Sequence, residues 1–272
     1  MTPSQPDSSV FERYRIPLVT NRGFTPCVVI DTSLWFSKTV QNVLTIKENE
    51  DDTNNLSESK IFDYFNEKEK AVLLDTITWE FRTLLHKRFL AIYNVFWKYL
   101  ENAERRIKSG EREIDVVRSL RRALTQENSH LSALYSYLEK RGLGFIRLLD
   151  INNRTKLIML LLEEKSRITG LFRELTENVK IIQVKERLTC WATENKRFFN
   201  QFTKITPDLD KKDRYNILGC YFGSCERKDF SISFVTTDSN LLKLSDDLIT
   251  YFLENRLELE NQYRDIYLPS PA

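Results

Sequence analysis

The chain of 272 residues carries 41 lysines and arginines against 39 aspartates and glutamates, with 41% apolar and 12% aromatic residues. That composition supports a real core and excludes global disorder; 7 glycines and 7 prolines exclude collagen-like or low-complexity architecture and disfavour a turn-rich β-sandwich. A net charge of +2 excludes a histone-like polycation while leaving room for a local nucleic-acid-binding patch.

The cysteines Cys27, Cys190, Cys220 and Cys225 form no CxxC pair, and His86 and His130 are the only histidines, so a Cys/His zinc site is not expected. The N-terminal stretch lacks the apolar segment of a signal peptide. The apolar cluster Leu157–Leu162 is far shorter than a membrane span. The expectation is an intracellular chain, nuclear or cytoplasmic if eukaryotic, with no membrane partner.

In chain order, residues 1–25 are rich in Pro, Ser and Thr and read as a flexible N-terminal tail. PCVVID, 26–31, reads as a short apolar strand that stops at an acid, with helical spacing from Ser33 to about Ile46. Residues 47–59 are polar and aperiodic, a mobile loop; 61–70 is weakly helical, and AVLLDTIT, 71–78, reads as a second buried strand. From Trp79 the period changes. Phe81, Leu84, Leu85, Phe89, Ile92, Phe96 and Leu100 recur at three and four residues, an amphipathic helix that ends near Ser109 before Gly110. Further helical stretches cover 113–141 and 153–176. Strand-like VKIIQV, 179–184, is followed by a helix over 186–202 and another from Lys211. SISFVTT, 231–237, is a strand that ends at Asp238; a helix then runs to about Tyr263, and DIYLP forms a short last strand. Strands alternating with helices predict a three-layer α/β/α fold with a central parallel sheet, built from 26–84 and 179–272 and interrupted by an all-α insertion over 85–178.

Parallel sheets place their ligand sites at the carboxyl ends of the strands. Asp31 and Asp238 each end a strand, Glu80 follows the second strand, and Asp213 begins a helix with Asp210 competing for its role. Each acid has a structural role open to it: Asp31 and Asp238 as helix N-caps, Glu80 and Asp213 as first-turn acids favoured by the helix dipole. Gathered at one edge, they would repel one another, and a hard divalent cation such as Mg²⁺ or Mn²⁺ would reverse that penalty.

The pattern resembles the PIN-domain family of metal-dependent nucleases. VVIDTS, with Asp31, matches the family's opening strand and acid; Thr78-Trp79-Glu80 matches its glutamate; Asp213-Arg214 with Ile217 and Leu218 matches its third acid; and Thr236-Thr237-Asp238 with Leu241 matches its closing Thr-x-Asp. The likeness covers about 26–82 and 179–268 and leaves out the insertion. It implies a PIN-like fold and a metal-dependent endoribonuclease that cleaves single-stranded RNA by in-line water attack. Asp31, Glu80, Asp213 and Asp238 would serve as catalytic and metal-binding residues, with Mg²⁺ or Mn²⁺ as the metal and Ser33 and Thr236 hydrogen-bonding to the carboxylates. The family also contains catalytically silent scaffolds, so the alternative is a PIN-like scaffold that binds RNA or a protein through the helical insertion.

Arg82, Lys87, Lys212 and Arg214 lie near the acids in sequence and are candidates for holding the RNA backbone, although a solvated helix face also explains them. Trp35, Phe36 and Trp79 are expected in the core rather than stacked on bases. The stripe Phe89, Tyr93, Phe96, Trp97 and Leu100 is too wide to leave in water. It either packs on the other helices of 85–178 or offers a surface for a protein partner or self-association.

Overall fold

The computed structural model describes residues 8–19, 25–41, 57–127, 136, 138–141, 154–226 and 230–266. The chain divides into two compact units. One comprises Met1–Lys38, Glu50–Glu80 and Thr176–Ala272; the other comprises Thr39–Asn49 and Phe81–Leu175.

The first unit holds a mixed α/β arrangement around a five-stranded sheet of order β1-β5-β2-β3-β4. The strands are β1 (Arg15–Val19), β2 (Thr25–Ile30), β3 (Lys70–Leu74), β4 (Lys180–Ile182) and β5 (Phe230–Val235). β5, β2, β3 and β4 run parallel; β1 pairs antiparallel with β5 at the edge. Cys27, Val28, Val29 and Ile30 are all buried, as are Val72, Leu73 and Leu74. Successive side chains of a strand point to opposite faces, so both faces of the central strands are covered.

β1 and the short helix α1 (Ser8–Glu12) correct the expectation of a flexible tail over 1–25: Ile16 and Leu18 alternate into the core, and Phe11 is buried. Pro and Ser near the N-terminus mask this alternation in the composition. Residues 1–7 and 20–24 lie outside the described residues, as does most of the expected loop over 47–59.

Helix α2 (Thr32–Gln41) follows β2, and α3 (Glu58–Lys68) is N-capped by Ser57, whose side chain accepts from the Lys60 amide. β3 stops at Leu74, and α4 (Asp75–Lys108) begins at once. The strand expected to reach Thr78 is therefore shorter, and Glu80 sits on a helix already under way. The cause is tertiary. Asp75 Oδ1 accepts from the amides of Val184 and Lys185 at 3.0 Å each, capping α7 (Lys185–Glu194) from another element.

The helix expected over 186–202 is two helices, α7 and α8 (Lys196–Ile205), broken at Asn195. The helix expected to reach Tyr263 is three: α10 (Ser239–Lys243), α11 (Ser245–Glu254) and α12 (Arg256–Arg264). Asn195 and Asn255 each turn the side-chain amide onto the carbonyl four residues back, Trp191 and Tyr251, so a local hydrogen bond competes with helix continuation. The short strand expected in DIYLP lies mostly outside the described residues.

α9 (Lys211–Glu226) packs on β5, β1 and β3. Space against β3 is tight at Gly219, where a Cβ would stand 3.2 Å from Leu74 Cδ1 and 3.2 Å from Val184 Cγ2. Gly219→Val should lower the denaturation midpoint by an amount equivalent to about 1–3 kcal/mol, because the added methyls overpack this contact. Gly219→Ala should be far milder, since about 1 kcal/mol of helix propensity opposes the squeeze. Equal stability of Gly219→Val and the natural protein in urea titration would refute the close approach.

The second unit is helical in its described residues: the remainder of α4, α5 (Glu113–Glu127) and most of α6 (Arg154–Thr176). Gly110 ends α4 at φ 94°, with its amide on Ile107 O and that of Glu111 on Arg106 O. Of the expected stripe, Phe89 is buried, together with Ile92, while the side chains of Phe96 and Leu100 lie outside the described residues. Phe81 stacks on Phe172, with ring centroids 3.9 Å apart. Among the described residues no helix is long and apolar enough to cross a membrane.

Candidate functional site

The register of the parallel strands builds the site. Ile30 pairs with Val235, so the next residues, Asp31 and Thr236, leave neighbouring strands side by side; the Asp31 amide donates to Val235 O at 2.9 Å. β2 and β5 are also where the chain reverses its direction of travel across the sheet, the position at which open parallel sheets leave a crevice.

Asp31 is buried. Its Oδ1 accepts from the Thr32 amide at 2.6 Å. Its Oδ2 accepts from Thr236 Oγ1 at 2.7 Å and from Ser33 Oγ at 3.1 Å. Burial raises its pKa to about 6, with the Glu80 charge adding to the rise and the Thr236, Thr32 and Ser33 hydrogen bonds opposing it. Both hydroxyls expected to hold the carboxylate, Ser33 and Thr236, therefore do so.

Glu80 is oriented by two donors, Thr32 Oγ1 at 2.7 Å and Asn216 Nδ2 at 2.6 Å, both onto Oε2. Neither donor is among the residues anticipated from sequence. Asn216 lies three positions after Asp213 on α9, a spacing that places both on one helix face and could have drawn notice. Thr32 stands inside the quoted strand-end motif.

Asp210 and Asp213 divide their roles. Asp210 Oδ1 accepts from the amides of Lys212 and Asp213 at 2.6 and 3.0 Å, making it the N-cap of α9. Asp213 is raised to about 7 by burial first, then by the charges of Asp210, Asp31 and Glu80. Asp31, Glu80 and Asp213, drawn from three distant stretches, thus feel one another's charge.

Asp238 stands differently. It caps α10, its side chain accepting from the Asn240 amide at 2.7 Å, and its own amide donates to Thr236 Oγ1 at 3.0 Å. Thr236 therefore links the backbone at Asp238 to the carboxylate of Asp31. Another acid lies on this side: Glu58 at the start of α3 accepts from Thr237 Oγ1 at 3.1 Å and from Ser37 Oγ. It lies inside the stretch read as an aperiodic polar loop, so no spacing signal points to it.

The basic candidates separate. Lys212 lines a cavity of about 420 Å³ together with Trp79, Lys185 and Asn216. Arg214 turns its guanidinium onto Thr206 O and Oγ1 and onto Pro207 O, so the loop before α9 engages its donor fork. Arg82 and Lys87 are exposed on the part of α4 that belongs to the second unit. Trp35 and Phe36 are buried as expected, whereas Trp79 is 43% exposed. The early start of α4 turns Trp79 to the outer side of the helix, which corrects its expected place in the core.

The donor set is all oxygen, three mutually repelling carboxylates with hydroxyls behind them, which suits a hard divalent cation and not a thiolate- or imidazole-seeking one. As the side chains lie, no three acid, His or Cys side chains among the described residues stand at spacing to share an ion. No family model, no curated protein and no solved structure matches this chain.

Proposed function

We propose that the chain is a metal-dependent endoribonuclease that hydrolyses phosphodiester bonds of single-stranded RNA at the carboxyl edge of its sheet, with a PIN-like arrangement of acids. The observation that carries the reading is the gathering of Asp31, Glu80 and Asp213 at this edge, where Thr32 reaches Glu80 and Thr236 and Ser33 reach Asp31, and where burial first and the neighbouring carboxylates second lift Asp31 to about 6 and Asp213 to about 7. A fold gains no stability from crowding buried carboxylates, and such perturbed groups gather where chemistry is done.

Asp31, Glu80 and Asp213 are the residues that would hold Mg²⁺ or Mn²⁺, with Asp238 tied to them through Thr236. Bound there, the ion would supply the positive charge that acidifies a water and neutralises the phosphate oxygens. The chain's own contribution is orientation. Ser33 and Thr236 hold Asp31, while Thr32 and Asn216 hold Glu80 through the one oxygen, Oε2. Groups fixed in this way need no rearrangement as charge develops on the phosphate.

The test is incubation of end-labelled single-stranded RNA with the protein and Mn²⁺. Cleavage that stops on adding chelator, and yields 5′-phosphate ends, is the expected result. RNA that stays intact with Mn²⁺ present, while the protein still binds it, would favour a silent scaffold over the enzyme.

A further inference from the structure

Beside the acids lies the 420 Å³ cavity, large enough for a small organic ligand. Trp79 presents its indole here, with Lys185 Nζ 4.6 Å and Lys212 Nζ 5.4 Å from the ring centroid. Lys211 Nζ stands 5.4 Å from the ring of Tyr215, another wall residue. Three ammonium groups thus crowd two aromatic rings, and the acid in the wall, Asp210, is engaged in capping α9.

Thr76, 2% exposed, completes the wall on the side of α4. Asn216 joins the cavity to the acids, since it lines the wall and donates to Glu80.

A flat aromatic face flanked by cations asks for a ligand that is both a π-surface and an anion, and a nucleotide is both. Stacking of a base on an aromatic ring is worth more than an exposed lysine–ring contact, so an incoming base displaces an ammonium from the indole. The displaced lysine then stands at the ring's rim, where the phosphate of a stacked nucleotide lies. We propose that this cavity is a nucleotide subsite, which stacks one base of a single strand on Trp79 and holds its phosphate between Lys185 and Lys212, next to the bond offered to the acids. The choice of ligand rests on the nuclease reading; the site itself does not require cleavage.

The test uses the full chain in chelator, so that nothing is cut, and fluorescein-labelled ten-nucleotide single strands, RNA and DNA in separate arms, read by anisotropy. Trp79→Leu should weaken binding by about tenfold, and Trp79→Phe should recover most of it. Lys185→Gln and Lys212→Gln should each weaken binding and flatten its salt dependence by roughly 0.7 in the log–log slope. Equal loss in both arms assigns the site to the shared base and phosphate; loss greater for RNA assigns it to the ribonucleotide. Trp79→Leu binding within twofold of the natural protein overturns the subsite, as does Trp79→Phe no better than Trp79→Leu with circular dichroism unchanged. Displacement of the strand by an oligoglutamate at equal concentration overturns it in favour of an acidic peptide. Because binding is read without metal, a chain that never cleaves RNA but loses affinity in Trp79→Leu retains the subsite and loses only the nuclease reading.

Discussion

Asp31→Asn should abolish Mn²⁺-dependent cleavage of single-stranded RNA and, in chelator at pH 7.5, melt at a higher temperature than the natural protein. Asparagine keeps the size and planarity of the side chain and can still bond to the Thr32 amide and the hydroxyls of Ser33 and Thr236, which are free to rotate. What it removes is a charge. A carboxyl lifted from 3.8 to about 6 by burial costs the folded state on the order of 3 kcal/mol at neutral pH, and asparagine relieves up to that amount. For a chain of this size the gain is several degrees in Tm. Loss of a group that acts directly on developing charge should lower the rate by ~10²–10³ or more. Calorimetry and cleavage rate on the same preparation decide the matter. An inactive variant that melts below the natural protein would show that Asp31 holds the fold instead of the chemistry.

The second large effect is on pH dependence. In chelator, stability should fall as pH rises from about 4 to about 7. Asp31 and Asp213 have pKa values near 6 and 7 when folded, against 3.8 unfolded, so across this window the folded state binds more protons than the unfolded chain. Stability then decreases with rising pH, and the contribution present below pH 4 is lost by the time both groups ionise. Mn²⁺ should reverse the trend, because the ion competes with protons for the same carboxylates and stabilises whatever fold it binds, by about 2.7 kcal/mol at a hundred times its Kd. Melting at pH 5 and pH 8, with and without Mn²⁺, isolates these groups when the double variant Asp31→Asn/Asp213→Asn is subtracted. A Mn²⁺-induced shift no larger at pH 8 than at pH 5, or one that persists in the double variant, would remove the carboxylates as the ion's seat.

The carboxylate cluster and the cavity beside it meet at Asn216, which lines one and orients an acid of the other. A strand held at Trp79 would therefore present its neighbouring phosphate to Glu80 and Asp31, so binding and chemistry would draw on one wall of the sheet's carboxyl edge.

Much of the first unit was legible in the linear chain, because local signals there agree with the tertiary environment. VVID is apolar and β-branched, and it lies in a strand buried on both faces; its acid falls where the strand ends. The helical period after Trp79 and the stop at Gly110 are likewise local, since both follow from the spacing of side chains along one helix and the one backbone position that needs positive φ. Only the tertiary structure decided the rest. Whether Asp210 or Asp213 faces the other acids depends on which amides Asp210 caps, and the start of α4 at Asp75 depends on the amides of Val184 and Lys185, more than a hundred positions away. That start turned Trp79 out to meet Lys185 and Lys212, and the register of β2 against β5 set Thr236 on Asp31. Periodicity reports which face of an element is apolar; which remote groups its polar residues meet is a property of chain crossings, and those are formed only when the sheet is assembled.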